Sequence, residues 1–248
     1  MSAVGLFWIR DDFRIENNPA LSFATQNHDN VIALFIYNNK NYDNQTEAQK
    51  WWVSKSLEIF KTDLKKYNIN LQIVKGDELE ILSKIKKKDN LTLYWNKVYE
   101  PTELEKDKKI GTDFSKKNID FKFFKGNVLN EYNKITKNDG TPFKVYSPFW
   151  RNAEQFYLER LPDKISKVKK CKKINTLFKN QIKSEDILPR SDWYKKFEKY
   201  WVPSEQKAHE NLDNFVNKSI LNYGVDRDFP SIKGTSLLSP YIRNGQIN

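Results

Sequence analysis

The run Val4-Gly5-Leu6-Phe7-Trp8-Ile9 passes directly into Arg10-Asp11-Asp12-Phe13-Arg14, and this change from apolar to charged residues decides the fold. A continuous apolar run of this length is typical of a strand that is buried on both faces of a parallel sheet. A secretory leader would carry basic residues before the apolar run and a small-residue cleavage site after it, and this sequence has neither. The sequence therefore predicts a central strand that ends at Ile9.

Four further strand-like runs follow, with helical patterns between them. The predicted strands are Val4–Ile9, Val31–Ile36, Asn70–Val74, Leu91–Trp95 and Asp120–Phe124. The predicted helices are Pro19–Gln26, Glu47–Tyr67, Asp77–Ile85 and Thr102–Lys117. This alternation predicts an α/β fold with a doubly wound, Rossmann-like five-stranded parallel sheet. No Gly-x-Gly-x-x-Gly follows the first strand, so we do not expect an ordinary NAD domain.

Composition shifts divide the chain into three parts. We expect an α/β domain over residues 1–125, a long connector over 126–191 and the beginning of an all-helical domain over 192–248. In the last part, helices are predicted from Trp193 to Trp201 and from Ser204 to Leu221. Ser204 is expected to cap the second of these helices. Its predicted apolar stripe consists of Ala208, Leu212, Phe215 and Val216.

The chain is basic, with 43 Lys+Arg against 32 Asp+Glu and a net charge of +11. This excess favours a polyanionic partner such as nucleic acid, although solvation of helix ends and loops explains any single lysine run equally well. One cysteine and two histidines predict neither a disulfide nor a zinc site. We therefore expect a cytoplasmic protein without metal, and no apolar run is long enough for a membrane span.

The stretch Gly234-Thr235-Ser236-Leu237-Leu238-Ser239 combines a glycine with hydroxyl side chains before a predicted helix. Such a stretch can offer backbone N–H groups, hydroxyls and a helix dipole to a pyrophosphate. The simpler alternative is that Thr235 or Ser236 caps the helix, and local chemistry alone favours the cap.

Four blocks of sequence occur in an order that spans the chain, and in them the chain resembles the photolyase and cryptochrome family. The blocks are Trp8–Arg14 with Asn17–Leu21, Tyr94–Asn96 with Tyr99–Pro101, Gly140–Trp150, and Trp201–Glu205 with Tyr223, Arg227–Pro230 and Gly234–Tyr241. The resemblance implies an antenna-chromophore domain over residues 1–125 and the first part of a helical FAD-binding domain over residues 192–248.

The resemblance also implies roles for particular residues. The residues implied to contact FAD are Tyr223, Thr235, Ser236, Leu237, Leu238 and Ser239. Arg227 is implied to grip a DNA phosphate, with a surface pair to Asp226 or Asp228 as the alternative. Arg10 and Glu103 are implied to line an antenna pocket for a methenyltetrahydrofolate or a deazaflavin. The simpler alternative for Arg10 is an ion pair with Asp11 that fixes the turn after the first strand.

Three functions are compatible with this resemblance. The first is a deoxyribodipyrimidine photolyase, which repairs cyclobutane pyrimidine dimers in DNA by electron transfer from an excited reduced flavin. This chain would then be an incomplete amino-terminal part that is inactive by itself, because the family's catalytic and electron-relay residues lie in a region that it does not contain. We expect it to be a monomer. The second is a cryptochrome-type blue-light photoreceptor. The third is a non-catalytic module that binds a chromophore or nucleic acid.

Overall fold

Five parallel strands form one sheet in the order β3-β2-β1-β4-β5. In this computed structural model, which describes residues 3–38, 45–129, 131, 133–159, 165–174 and 176–248, each predicted strand is present. The strands are β1 (Val4–Ile9), β2 (Asn30–Tyr37), β3 (Asn70–Lys75), β4 (Leu91–Asn96) and β5 (Asp120–Phe124). The chain winds from β1 to one edge of the sheet and then crosses to the other edge, so the predicted doubly wound fold is confirmed.

Helices connect the strands and continue beyond the sheet. They are α1 (Pro19–Asn27), α2 (Glu47–Lys65), α3 (Glu78–Ser83), α4 (Pro101–Lys116), α5 (Tyr146–Glu159), α6 (Glu205–Lys218), α7 (Tyr223–Asp226) and α8 (Ser239–Arg243). Helix α2 begins with a reciprocal capping box between Thr46 and Gln49. Proline occupies the first turn of α1 and of α4. Backbone N–H groups in the first turn have no acceptor within the helix, so the absence of one in proline costs no hydrogen bond there.

The two faces of the sheet carry separate cores, because successive side chains of a strand point to opposite faces. In β1, Phe7 and Ile9 pack with α1 and α2, whereas Leu6 and Trp8 pack with α3 and α4. Trp8 and Trp95 are both buried on the second face.

The connector is more ordered than the sequence indicated. Ser147 and Pro148 lie in the first turn of α5 rather than in a loop, since proline is tolerated at the start of a helix. Further on, Gln181 bridges antiparallel to Val74, and the Ile182 N–H donates to the Ile73 carbonyl at 2.9 Å. The connector thereby covers the outer edge of β3.

The carboxyl-terminal segment packs against α2. Trp51 and Trp52 of α2 form a third core with Ala208, Leu238, Tyr241 and Ile247. Ser204 caps α6 as predicted, its hydroxyl accepting from the Lys207 N–H at 3.1 Å. The helix predicted from Trp193 to Trp201 is present over Trp193–Lys199 as a 3₁₀-helix. One expectation was wrong: Val216 is 47% exposed, so the apolar stripe is shorter. Across the described residues, no helix combines the length and apolarity needed to cross a membrane.

Candidate cofactor-binding sites

A cavity of about 390 Å³ opens at the carboxyl ends of β1 and β2. Arg10 and Asp11 follow β1 directly, while Glu103 comes from the first turn of α4 and Arg243 from the end of α8. The chain adds β2 and β3 on one side of β1 and then β4 and β5 on the other, so the strand order reverses beside β1. Ligands of open α/β sheets bind at such a switch point, outside the carboxyl ends of the strands.

Arg10 is the central cation of this site. Its guanidinium lies 4.6 Å from the centre of the Trp8 ring, within the range of a cation–π contact. One end donates to Asp107 Oδ1 at 2.6 Å, and the other end donates to Glu103 Oε2. Because the side chain is only 6% exposed, these contacts fix the guanidinium in one position.

A second cation extends the network away from the sheet. Lys106 donates to Glu103 Oε1 at 2.8 Å and to Glu78 Oε1 at 3.1 Å. Asn38, just after β2, donates through Nδ2 to the other oxygen of Glu78. The ends of β1 and β2 and the helices α3 and α4 are therefore joined through one network of charged and polar side chains.

Burial and charge act differently on the two carboxylates that share Arg10. Burial alone would raise the pKa of Glu103, but the Lys106 hydrogen bond and the charge of Arg10 outweigh it, so this pKa lies below its usual value. Burial raises the pKa of Asp107, and the charge of Arg10 only partly opposes the shift. Neither Asp107 Oδ2 nor the nearby Trp95 Nε1 completes a hydrogen bond within the described residues.

The cavity walls combine hydrogen-bond acceptors with apolar surface. Glu78, Glu100 and Glu103 offer acceptors, and Trp8 and Phe35 offer apolar surface. Gln45, also in the wall, has a buried Oε1 that accepts no hydrogen bond from any described residue. An unsatisfied buried acceptor costs about 1–3 kcal/mol, which a ligand N–H would recover.

Arg10 and Glu103, which the family resemblance implied to line an antenna pocket, both lie in the wall of this cavity. The predicted alternative of a pair between Arg10 and Asp11 is wrong. Asp11 instead accepts from Arg243 Nη1 at 2.8 Å, while Arg10 pairs with Glu103 and Asp107. Asp107, Lys106 and Glu78 were not predicted as members of this site.

The implied flavin-contact residues lie apart from this cavity lining, on α7 and on the loop before α8. Tyr223 begins α7 and meets Phe215 edge to face at 5.5 Å. Gly234 packs directly on Asp226, where an added Cβ would approach the Asp226 Cβ to 2.4 Å. This close contact holds the start of the loop beside α7.

Within the loop, the hydroxyl residues Thr235 and Ser239 are exposed and can reach a phosphate. The capping alternative is wrong for both Thr235 and Ser236: α8 starts at Ser239, and its N-cap is Leu238 without a side-chain bond. Ser236 Oγ instead accepts from the Leu238 N–H at 3.4 Å. The Leu238 side chain is buried in the third core, so contact with a cofactor would use its backbone.

Arg227, the implied DNA contact, is exposed just after α7. Its Nε lies 3.7 Å from Asp228 Oδ1, so the predicted surface pair is present, and its guanidinium lies 5.7 Å from the Tyr223 ring centre. A 3.7 Å exposed pair is weak. The guanidinium thus stays accessible to a phosphate.

Glu16, Glu205 and His209 bring three potential ligand atoms within 4.8 Å of one another, a cluster that no sequence motif predicted. Both oxygens of Glu205 already accept backbone N–H groups, from Ile15 and Glu16, at 2.7 Å. Burial raises the pKa of Glu205. These bonds give Glu205 a structural role in joining α6 to the loop after β1.

Comparison with known proteins identifies the family. The profile of the DNA photolyase family matches residues 5–167, which is more than half of the chain. The chain belongs to the DNA photolyase family. The deoxyribodipyrimidine photo-lyase of Agrobacterium fabrum is 31% identical over 98% of this chain and 51% of its own length. Cryptochrome-1 of Arabidopsis thaliana is 24% identical over 98% of this chain and 36% of its own length.

A solved structure agrees with this assignment. The crystal structure of a bacterial class III photolyase from Agrobacterium tumefaciens matches with a TM-score of 0.85 and 29% identity, over 100% of this chain and 51% of that one. The chain thus spans about half the length of the photolyases it matches. Membership of the family implies flavin and antenna cofactors in general terms.

Proposed function

We propose that this chain is the amino-terminal part of a deoxyribodipyrimidine photolyase that repairs cyclobutane pyrimidine dimers in DNA. The single observation that supports it best is the match to the Agrobacterium fabrum photolyase over nearly the whole chain. FAD supplies the light-driven electron transfer in such an enzyme. Thr235, Ser236 and Ser239 would hold its phosphates, with Tyr223 and the backbone of Leu237 and Leu238 beside them.

The exposed apolar side chains of the carboxyl-terminal segment support further polypeptide at this surface. They are Val216, Ile220, Leu221, Val225, Phe229, Ile232, Leu237 and Ile242. An apolar surface of this extent on one segment is typical of an interface rather than of a solvated face. We propose that polypeptide corresponding to the remaining length of the relatives covers it and completes the flavin site.

A chimera tests the repair function. Residues 1–248 are joined to the carboxyl-terminal part of the Agrobacterium fabrum photolyase, and bound flavin and light-dependent dimer repair are measured after gel filtration. We expect stoichiometric flavin and repair in the chimera, and neither in residues 1–248 alone. Thr235→Val with Ser239→Ala should reduce flavin retention at least about tenfold, whereas Ser231→Ala, at an exposed site outside the loop, should not. A folded chimera without flavin would contradict the proposal.

For the cavity we propose an antenna chromophore, either a methenyltetrahydrofolate or a deazaflavin, that passes absorbed light energy to the flavin. Arg10 would hold the wall in place, and Glu103 would accept a ring N–H. Titration of the purified chain with each chromophore, followed by absorbance and fluorescence, distinguishes them. Glu103→Gln should weaken binding of whichever chromophore the wild type binds. Glu154→Gln, at an exposed position on α5, should leave the affinity unchanged. Absence of binding by both compounds would refute the antenna site.

A photoreceptor is the second candidate, favoured by the match to Cryptochrome-1. Arg227 separates the two functions, since a repair enzyme needs the proposed phosphate contact at the lesion. In the chimera, Arg227→Gln should weaken binding to dimer-containing DNA, and Lys218→Gln on the exposed end of α6 serves as the control. Flavin binding without any dimer repair would support the photoreceptor instead.

A further inference from the structure

The amino end of the sheet, opposite the cavity, is strongly basic. All strands are parallel, so the loops that precede β2, β3, β4 and β5 lie at this same end. Exposed lysines on or beside these loops form no salt bridge with any described residue: Lys65, Lys86, Lys87, Lys88 and Lys116. Positive charge is thus concentrated away from the cofactor sites.

Residues 165–174, which we call the lysine strap, run across this end without regular secondary structure. The Lys172 N–H donates to the Asp29 carbonyl at 2.7 Å and the Cys171 N–H donates to the Tyr67 carbonyl at 2.8 Å. Asn68 Nδ2 donates to the Cys171 carbonyl at 2.8 Å. These bonds fix the strap against the loops before β2 and β3.

The apolar and the basic residues of the strap face opposite ways. Val168 and Ile174 pack on the two cores of the sheet, and Cys171 is buried. The exposed lysines of the strap are Lys167, Lys169, Lys170, Lys172 and Lys173. In the described structure only Lys172 has a carboxylate partner, Asp29 at 2.8 Å.

The nearby carboxylates do not neutralise the remaining lysines. Asp29, Asp63, Glu80 and Asp113 each pair with a lysine of their own, respectively Lys172, Lys66, Lys84 and Lys117. Asp89 accepts the Lys86 N–H. The charge of the other lysines is therefore available to a ligand.

The spacing of these lysines suits a nucleic-acid strand. Five lysines lie within residues 167–173, and one DNA strand carries a phosphate about every 3.4 Å along the helix axis, so the strap can neutralise several phosphates together. The strap and the loop lysines together extend across the five strands, a width of roughly 20 Å at about 4.8 Å per strand. That width is comparable to the diameter of a duplex. Insertion into a membrane surface uses exposed apolar side chains beside the lysines, and the strap presents none among its described residues.

We propose that the lysine strap and the basic loops at the amino end of the sheet form a second DNA-binding surface, which holds the phosphate backbone of duplex DNA without reading its sequence. This surface lies on the opposite end of the sheet from the cavity and is separate from Arg227. Its contacts are lysine point charges, which position a duplex but do not select bases. The chain would therefore associate with undamaged DNA before any lesion is met.

The test measures binding of lesion-free duplex DNA to residues 1–248 in the dark, by fluorescence anisotropy over a series of salt concentrations. Because neither flavin nor light takes part, its result is independent of the repair function. The strap variant carries Lys167→Gln, Lys169→Gln, Lys170→Gln and Lys173→Gln, and it keeps the paired Lys172. A matched control removes the same charge from exposed lysines elsewhere, with Lys134→Gln, Lys137→Gln, Lys144→Gln and Lys199→Gln.

We expect the strap variant to bind at least about tenfold more weakly at low salt, and the slope of log K against log salt to fall by about 0.9 for each phosphate that is no longer neutralised. The control should keep most of the wild-type slope. Replacing Lys65, Lys87, Lys88 and Lys116 should weaken binding further. Equal slopes in the strap variant and the control, with both folded by circular dichroism, would overturn the proposal. Tighter binding to duplex RNA or to anionic vesicles than to DNA would overturn the assignment of the partner.

Discussion

The indole N–H of Trp52 donates a 3.0 Å hydrogen bond to Oε1 of Gln246, although 194 residues separate the two in sequence. Gln246 also donates through Nε2 to Ser56 Oγ at 3.1 Å, and its side chain is almost fully buried. One carboxamide thus satisfies two polar groups on α2. The bonds fix the end of the chain on the α/β part of the molecule.

Gln246→Leu should destabilise the chain by about 1–3 kcal/mol, because it leaves the buried Trp52 N–H without an acceptor. Leucine has a similar volume, so loss of packing contributes little. The free energy of unfolding in urea measures the effect. Gln206→Leu, at an exposed position on α6, is the control and should stay within about 0.5 kcal/mol. Equal stability of the two variants would disprove a structural role for this bond.

Gly245→Ala should be more damaging, with a loss above about 3 kcal/mol. Gly245 has a φ of +60°, and a Cβ there would lie 1.9 Å from the Asp11 carbonyl oxygen. Gly224→Ala is the matched control: it lies in α7, and no atom lies within 4 Å of the added Cβ. That change should be neutral or stabilising by up to about 1 kcal/mol. Thermal unfolding of both variants decides the comparison.

Arg10→Gln should cost about 3–5 kcal/mol, because it leaves Asp107 and Glu103 buried without their shared cation. Adding Asp107→Asn to this variant should restore part of the stability, since one uncompensated charge disappears. Such non-additivity is measured by urea unfolding of the two single variants and the double variant. Lys195→Gln, in an exposed pair with Asp192, should leave the transition unchanged. Strict additivity would show that Arg10 does not act through Asp107.

Acid should weaken the part of the stability that Glu103 provides. The pKa of Glu103 is lowered in the folded chain, so its contribution is complete above the usual value of 4.5 and is lost as the pH falls through the folded value. The difference in unfolding free energy between the wild type and Glu103→Gln should be greatest near neutral pH and should shrink below pH 4.5. Urea titrations across this range measure it. A difference that does not change with pH would contradict the shift.

The single thiol should be almost inert in the folded chain. Burial, and to a lesser extent the charge of Asp29, raise the pKa of Cys171 to about 11. At pH 8 its thiolate fraction is then about 100-fold lower than that of a thiol with the usual value of 9.0. Alkylation by iodoacetamide should be correspondingly slow in buffer and fast in denaturing urea. Fast alkylation in buffer would show that the lysine strap detaches.

The sequence predicts the sheet well because β1 to β5 are short runs with strong local preferences, and the helices between them are amphipathic. Arg10 and Glu103 were associated only through the family resemblance, and the structure shows them in one cavity wall. Lys106 and Asp107 could have been added, because they lie three and four residues after Glu103 on the same face of α4. Glu78 and Asn38 could not have been predicted from the sequence. Their contacts with each other and with Lys106 depend on how two crossover connections pack against each other.

Tertiary contacts explain the features that sequence patterns missed. Residues 193–199 carry a helical pattern, but Trp193 packs edge to face on Phe197 at 4.9 Å and donates to Glu47, and a 3₁₀-helix accommodates both contacts. The bond from Trp52 to Gln246 has no periodic signal at all. Such pairings across the whole chain follow from the assembled fold.

The connector residues Gln181 and Ile182 seal the edge of β3, and this has a consequence for synthesis. During translation β3 leaves the ribosome long before these residues do, so for that interval its edge offers unpaired N–H and C=O groups to any other extended chain. A nascent chain that ends within the connector would therefore have all five strands but an uncovered edge at β3, where another extended chain could pair. The connector thus covers this edge only after all five strands have been synthesised.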